Sequence, residues 1–166
     1  VVLLFLGGAN ASAETYTTAE IGKLGGYLGD PNAPVKVVVY SSLSCPRCKE
    51  THEVFLTSLN TYIKGGDVVY IFRNYPFNQR STAASLLAIC QRNNDDYFRV
   101  IDQIFKNQRQ LNKISDKAGT NEFARSLRDF TGIPYKSVRE CLGDEANQEF
   151  LNERFEEAKV FGVSTT

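Results

Sequence analysis

Two short runs of the chain are almost continuously apolar, Val35-Lys36-Val37-Val38-Val39-Tyr40 and Val68-Val69-Tyr70-Ile71-Phe72. Runs this rich in β-branched and aromatic residues predict central strands covered on both faces. Between them, from about Cys45 to Ile63, the residues Phe55, Leu59, Tyr62 and Ile63 recur three or four apart. That spacing predicts a helix with one apolar side, and Gly65-Gly66 ends it. Strand, helix and strand in this order predict a right-handed crossover between parallel neighbours. The junction Ser41 to Ser44 then lies at the C-terminal edge of a sheet, where open α/β folds place their chemistry. Ser44 is positioned to cap the helix.

From Ser81 onward the period is helical. Ala83, Leu86, Leu87 and Cys90 share one face, as do Phe98, Ile101 and Phe105, and then Phe123, Leu127 and Phe130. Pro134 suits the first position of a short helix carrying Val138, Cys141 and Leu142. A last helix is predicted from about Glu145 to Phe161, with Phe150, Leu151, Phe155 and Ala158 inward. Upstream of the first strand, Glu14 to Lys23 reads as a polar lead-in, and Gly25 to Pro34 as a loop dense in turn residues.

Composition narrows the function classes. With 166 residues, 42% hydrophobic, the chain can bury one core with room for one inserted subdomain. Nineteen basic and nineteen acidic side chains cancel, so no global field draws in nucleic acid or an anionic membrane. No window is apolar for the roughly 18 residues that predict a transmembrane helix. Val1 to Leu6 is a short apolar run followed by Gly7-Gly8 and alternating small residues. This pattern reads as the tail of a secretory signal peptide cleaved at Ala11-Ser12-Ala13, and its competitor is an ordinary apolar N-terminal strand. Export places the four cysteines in an oxidising compartment.

The candidate chemistry is Cys45-Pro46-Arg47-Cys48 at the strand-to-helix junction. Two cysteines two residues apart can close a small disulfide ring on the first helical turn. There the free backbone N–H groups and the positive end of the helix dipole favour a thiolate. Cys45 is the expected nucleophile and Cys48 its resolving partner, so the expected activity is protein-disulfide oxidoreductase, with no cofactor. Pro46 fixes a backbone angle and Arg47 adds a positive charge, both thiolate-stabilising, although Arg47 reads equally as a solvated side chain. The rival reading is a metal-thiolate binding module. Cys45, Cys48 and His52, one turn further along, would supply its ligands. His52 could instead relay a proton to Cys48, or simply pack against its neighbours. Cys90 and Cys141 read either as two small buried hydrophobes or as a structural disulfide. Such a bridge would close a loop of about 50 residues, worth roughly 4 kcal/mol in the chain-entropy model.

Several separate motifs, in order, resemble DsbA-like thiol–disulfide oxidoreductases of the bacterial cell envelope. They are Leu28-Gly29-Asp30-Pro31-Asn32-Ala33-Pro34-Val35, the cysteine pair with His52, and Arg73-Asn74-Tyr75-Pro76. The resemblance implies an α/β thioredoxin-like βαβ core with an inserted helical subdomain. Residues 1–13 would be a signal-peptide remnant, 14–34 a lead-in loop, and 35–80 the N-terminal βαβ half. Residues 81–143 would be the helical insertion and 144–166 a return helix into the core. Many relatives carry a cysteine pair where Cys90 and Cys141 stand. The chain departs at Arg47, where the family usually has histidine or an aromatic, and at Val39, where many members have an acidic residue. Thr166 matches the residue before the family's substrate-binding cis-proline, so the C-terminal strands would be truncated. The implied partners are unfolded or partly folded exported proteins and a membrane reoxidant or reductant, in the periplasm, with no nucleic acid. Isomerase or reductase activity is the neighbouring alternative.

Overall fold

The computed structural model describes the backbone of residues 2–5 and residues 26–91, 93–114, 117–126 and 134–164. The strands are β1 (Val2–Phe5), β2 (Tyr27–Leu28), β3 (Val35–Ser41) and β4 (Val68–Asn74). The helices are α1 (Pro46–Gly65), α2 (Gln79–Ile89), α3 (Asn94–Lys106), α4 (Gln108–Leu111), α5 (Lys117–Ser126), α6 (Tyr135–Leu142) and α7 (Glu145–Val160). The sheet order is β1-β3-β4-β2. The two predicted strands lie at its centre, parallel, in register from Val35↔Val68 to Ser41↔Asn74.

Both central strands are largely apolar because each face of the sheet is covered. Val37 and Val39 join Tyr70 and Phe72 in a core with Phe98, Ile101 and Phe105 of α3 and Leu87 of α2. Phe55, Leu59 and Ile63 of α1 pack at the margin of the same core. Val38, Tyr40, Val69 and Ile71 face the other way, onto Ala158 of α7 and Val163. Tyr62 departs from the expected apolar side of α1 and is 55% exposed. The helical period admits it, but the core needs only the stripe through Phe55, Leu59 and Ile63.

Three further expectations are corrected. Tyr27–Leu28, read as loop, is a two-residue strand antiparallel to β4. Two residues carry no periodicity, so only pairing reveals such a strand. The residue capping α1 is Cys45, not Ser44, and no side-chain cap bond is made there. Ser44 instead turns its hydroxyl to the Asn78 side chain, whose Nδ2 donates to it at 3.2 Å. Pro134 caps α6 rather than opening it. Val2–Phe5 is an edge strand antiparallel to β3, which is the strand alternative to the export reading. Ala11-Ser12-Ala13, Leu127, Phe130 and Thr166 lie outside the described residues.

The helical block is fitted closely to the sheet edge. Tyr97 of α3 lies so near Gly26 that a Cβ there would come within 2.0 Å of its ring. Asn74, the last residue of β4, donates its Nδ2 to the Tyr97 hydroxyl at 2.7 Å. On the opposite face, Arg73 is fully buried with its Nε 3.9 Å from Glu157 of α7. The same Glu157 oxygen accepts from the Tyr40 hydroxyl at 3.1 Å. The last two residues of β4 thus join the sheet to helices on both of its faces.

Candidate active site

β3 and β4 end level, at Ser41 and Asn74, and the chain leaves β3 through a tight loop into α1. The Cys45 N–H donates to the Ser42 carbonyl at 3.1 Å, which turns the chain upward into the helix. Cys45 itself is extended, with φ −88° and ψ 120°, as an N-cap residue must be, and Pro46 follows in the first turn. No acidic residue occupies that turn, so nothing there opposes a negative sulfur.

Cys45 and Cys48 are unbridged, and each is 8% exposed. They sit at the margin of the larger core, while Pro46 and Arg47 between them are exposed. An incoming group therefore meets proline and arginine first, with the sulfurs just beneath. The Ser42 N–H donates to the Cys48 sulfur at 3.5 Å. Burial nonetheless pushes the Cys48 thiol up from its ordinary range. The Ser42 amide works against that rise, and the neighbouring Cys45 sulfur adds to it. The Cys48 thiol thus holds its proton more tightly than an ordinary thiol does.

His52 is not where the metal or relay readings require it. Its side chain is buried among Tyr70, Phe72 and Phe105. Nδ1 lies 3.1 Å from the Tyr70 hydroxyl, and Nε2 lies 3.1 Å from Asp102 Oδ1 on α3. Both ring nitrogens are therefore engaged away from the cysteines, and the third ligand of the metal-thiolate reading is missing. Among the described residues no group of three or more His, Cys, Asp and Glu is gathered to hold a metal.

Cys90 and Cys141 are joined in a disulfide, with Cα atoms 5.9 Å apart, linking the end of α2 to the end of α6. Beside it a groove of about 650 Å³ runs between these helices, lined by Thr82, Leu86, Arg139 and Leu142. Cys45 and Cys48 do not line that groove.

Sequence reasoning missed the polar residues that hold the reactive loop from outside it. Gln108, 6% exposed on α4, donates to two loop carbonyls, and Asn112 just beyond α4 donates to a third. Asn78 serves twice. It caps α2, accepting the Ser81 N–H at 2.9 Å, and it also bonds Ser44. Amides scattered through a polar helical stretch give no local signal of such a role. Only their contacts reveal it, across more than sixty residues for Gln108 and Asn112 and 34 for Asn78.

A family model described as Thioredoxin matches residues 23–166. A probable disulfide bond formation protein D of Bacillus cereus is 34% identical over 87 residues, covering 50% of this chain and 40% of that protein. The match thus spans less than half the length of that curated relative. Among solved structures, alpha-DsbA1 of Wolbachia pipientis superposes with a TM-score of 0.73 at 24% identity, over 84% of this chain and 70% of that one. Oxidised BdbD from Bacillus subtilis gives 0.70 at 20% identity, over 86% and 83%. At these identities the two structures establish a shared fold, the thioredoxin fold with a helical insertion.

Proposed function

We propose that this chain, which belongs to the thioredoxin family, is a thiol–disulfide oxidoreductase working through Cys45 and Cys48. The observation that carries this reading is the placement of Cys45 as the N-cap of α1 with Cys48 one turn inward. A thiolate at that cap stands at the positive end of the helix dipole. A thiol one turn deeper, pushed up by burial, is suited to hold a proton.

The proposed direction is oxidation of exported polypeptides. A substrate thiolate attacks Cys45 in the Cys45–Cys48 disulfide, and Cys48 leaves and takes up a proton. The substrate's second sulfur, as thiolate, then displaces Cys45, which departs as thiolate. Two electrons have moved from the substrate dithiol to the cysteine pair. Of the two protons lost, one rests on Cys48 and the other goes to solvent. Cys48 can alternatively attack Cys45 and expel a substrate that has no second thiol. Exposed Pro46 and Arg47 flank the sulfur where an extended chain would approach. A membrane-borne reoxidant and residence in the cell envelope complete the proposal, supported by the export-like N-terminal pattern. That support has a structural cost, because a segment removed on export cannot also be the strand beside β3. The mass of the exported chain decides which role Val2–Phe5 plays.

The test is the redox equilibrium of the pair against glutathione, read with the pH dependence of Cys45 alkylation. Cys45 is expected to alkylate well below the pH at which a free thiol does, and the pair to oxidise a reduced model protein. Alkylation in the free-thiol range, with no disulfide transferred, overturns the reading.

A further inference from the structure

The loop ahead of the reactive pair is tied down by a helix from a different part of the chain. Helix α4 is a single turn, yet Gln108 at its start reaches across 65 and 63 residues of sequence. Its one Nε2 donates to the carbonyls of Leu43 and Cys45, both at 2.9 Å. Asn112 donates its Nδ2 to the carbonyl of Ser44, the residue between them, at 3.2 Å. The remaining carbonyl of the loop, that of Ser42, receives the Cys45 N–H at 3.1 Å. Every carbonyl from Ser42 to Cys45 is therefore occupied, and two carboxamides supply three of those bonds.

A carboxamide suits this task. Its NH₂ carries two donors on one uncharged nitrogen, so one glutamine can serve two carbonyls that converge. A hydrocarbon of equal length would take away the Leu43 carbonyl's bond and one of the two at the Cys45 carbonyl, and a carboxylate would set acceptor against acceptor. The Cys45 carbonyl also receives the Lys49 N–H at 3.3 Å as the first bond of α1. The Gln108 bond is thus a second one to the same oxygen, additional to what the helix needs.

The electrostatic consequence falls on the Cys45 sulfur. Its own carbonyl oxygen is only four bonds from Sγ, and the preceding carbonyls lie in the same short loop. Their partial negative charges oppose a thiolate, as the helix N–H groups favour one. A donor on each oxygen offsets part of that opposition and fixes the direction of each dipole in a site largely closed to water. We propose that Gln108 and Asn112 are positioning residues of the exchange centre, holding the Leu43, Ser44 and Cys45 carbonyls so that the Cys45 thiolate stays favoured. The inference rests on the reading of Cys45 as the nucleophile.

The test compares the full-length wild type with Gln108→Met, which keeps length and loses the donors, and with Asn112→Leu at a half-exposed site. Far-UV circular dichroism and thermal unfolding establish that each variant folds. Three readouts follow: the pH midpoint of Cys45 alkylation by iodoacetamide, the equilibrium with glutathione, and the rate of oxidation of a reduced model protein. Gln108→Met is expected to move the alkylation midpoint toward that of a free thiol. The glutathione equilibrium should shift toward the protein disulfide by roughly tenfold for each unit moved. Asn112→Leu is expected to do the same to a smaller degree, and it carries the test if Gln108→Met does not fold. A low wild-type midpoint that both folded variants retain, whatever their melting temperatures, overturns the inference alone. A wild-type midpoint already in the free-thiol range overturns the exchange reading and this inference with it.

Discussion

The two cysteine pairs of this chain stand at opposite ends of their helices. Cys45 caps the start of α1 and Cys48 lies in its first turn. Cys90 is the residue closing α2, and Cys141 is in the last turn of α6. At a helix start the exposed N–H groups favour a negative sulfur, whereas at a helix end the exposed carbonyls disfavour it. The pairs differ also in how much chain their bonds enclose. Cys45 and Cys48 already share one turn, so making or breaking their bond constrains little beyond it. The Cys90–Cys141 bond joins two helices across 51 residues of sequence. The same element is thus suited to exchange in one setting and to fastening in the other. Helix polarity and loop length make the difference.

The largest effect that could break this contrast comes from removing one sulfur at each place. Cys45→Ser is expected to lower disulfide transfer to a reduced model protein by about a thousandfold or more, since no other sulfur occupies the helix cap. The Cys90→Ser, Cys141→Ser double variant should retain transfer within about twofold at a temperature where it is folded. Equal losses in the two would erase the distinction. Next in size, Cys48→Ala removes the resolving sulfur. A mixed disulfide between Cys45 and a substrate with a single thiol should then accumulate, read as a stable adduct by mass spectrometry, whereas the wild type releases it within the assay.

On stability the expected order is reversed. Breaking the Cys90–Cys141 bridge should cost about 2–4 kcal/mol in denaturant unfolding, as expected for a bond closing a long loop. Reducing the Cys45–Cys48 ring should change stability far less. The smallest effect is a slope with pH. Burial holds the Cys48 thiol above its ordinary range, so in the unfolded chain it loses its proton at lower pH than in the folded one. Below the ordinary thiol range both states are protonated and the stabilisation is complete. As pH rises through that range toward the raised folded value, it is lost, by at most about 1.4 kcal/mol per pH unit. Chemical denaturation of the protein with only this pair reduced should show that slope, and Cys48→Ala should flatten it. The bridged pair, having no proton to lose, adds none.

Much of this contrast was legible from the residues themselves. The runs Val35–Tyr40 and Val68–Phe72, rich in β-branched and aromatic residues, suit central strands covered on both faces, and the structure puts them there. The position of Cys45-Pro46-Arg47-Cys48 between strand and helix follows from where one period gives way to another. The unread parts share a physical cause. Gln108 and Asn112 act through hydrogen bonds to residues more than sixty positions away, and no pattern within their own stretch of chain encodes that. His52 lies at the right spacing from Cys48 to suggest a partnership. However, spacing along a helix says nothing of Tyr70 on β4 or Asp102 on α3, which take its two nitrogens. Ser44 is a sound cap by residue type, but Asn78 claims its hydroxyl.

The Tyr97 ring seated on the bare backbone of Gly26 has a reach out of proportion to its chemistry. A methyl group at residue 26 would need the volume the ring already fills, and the ring's simplest escape is to swing outward. That movement would carry the phenol away from Asn74, which ends the strand lying level with Ser41. A glycine at the rim of the sheet therefore acts as a keyway. Widening the molecule there would loosen the end of β4, paired with the end of the strand that leads to the sulfur pair, without touching either cysteine.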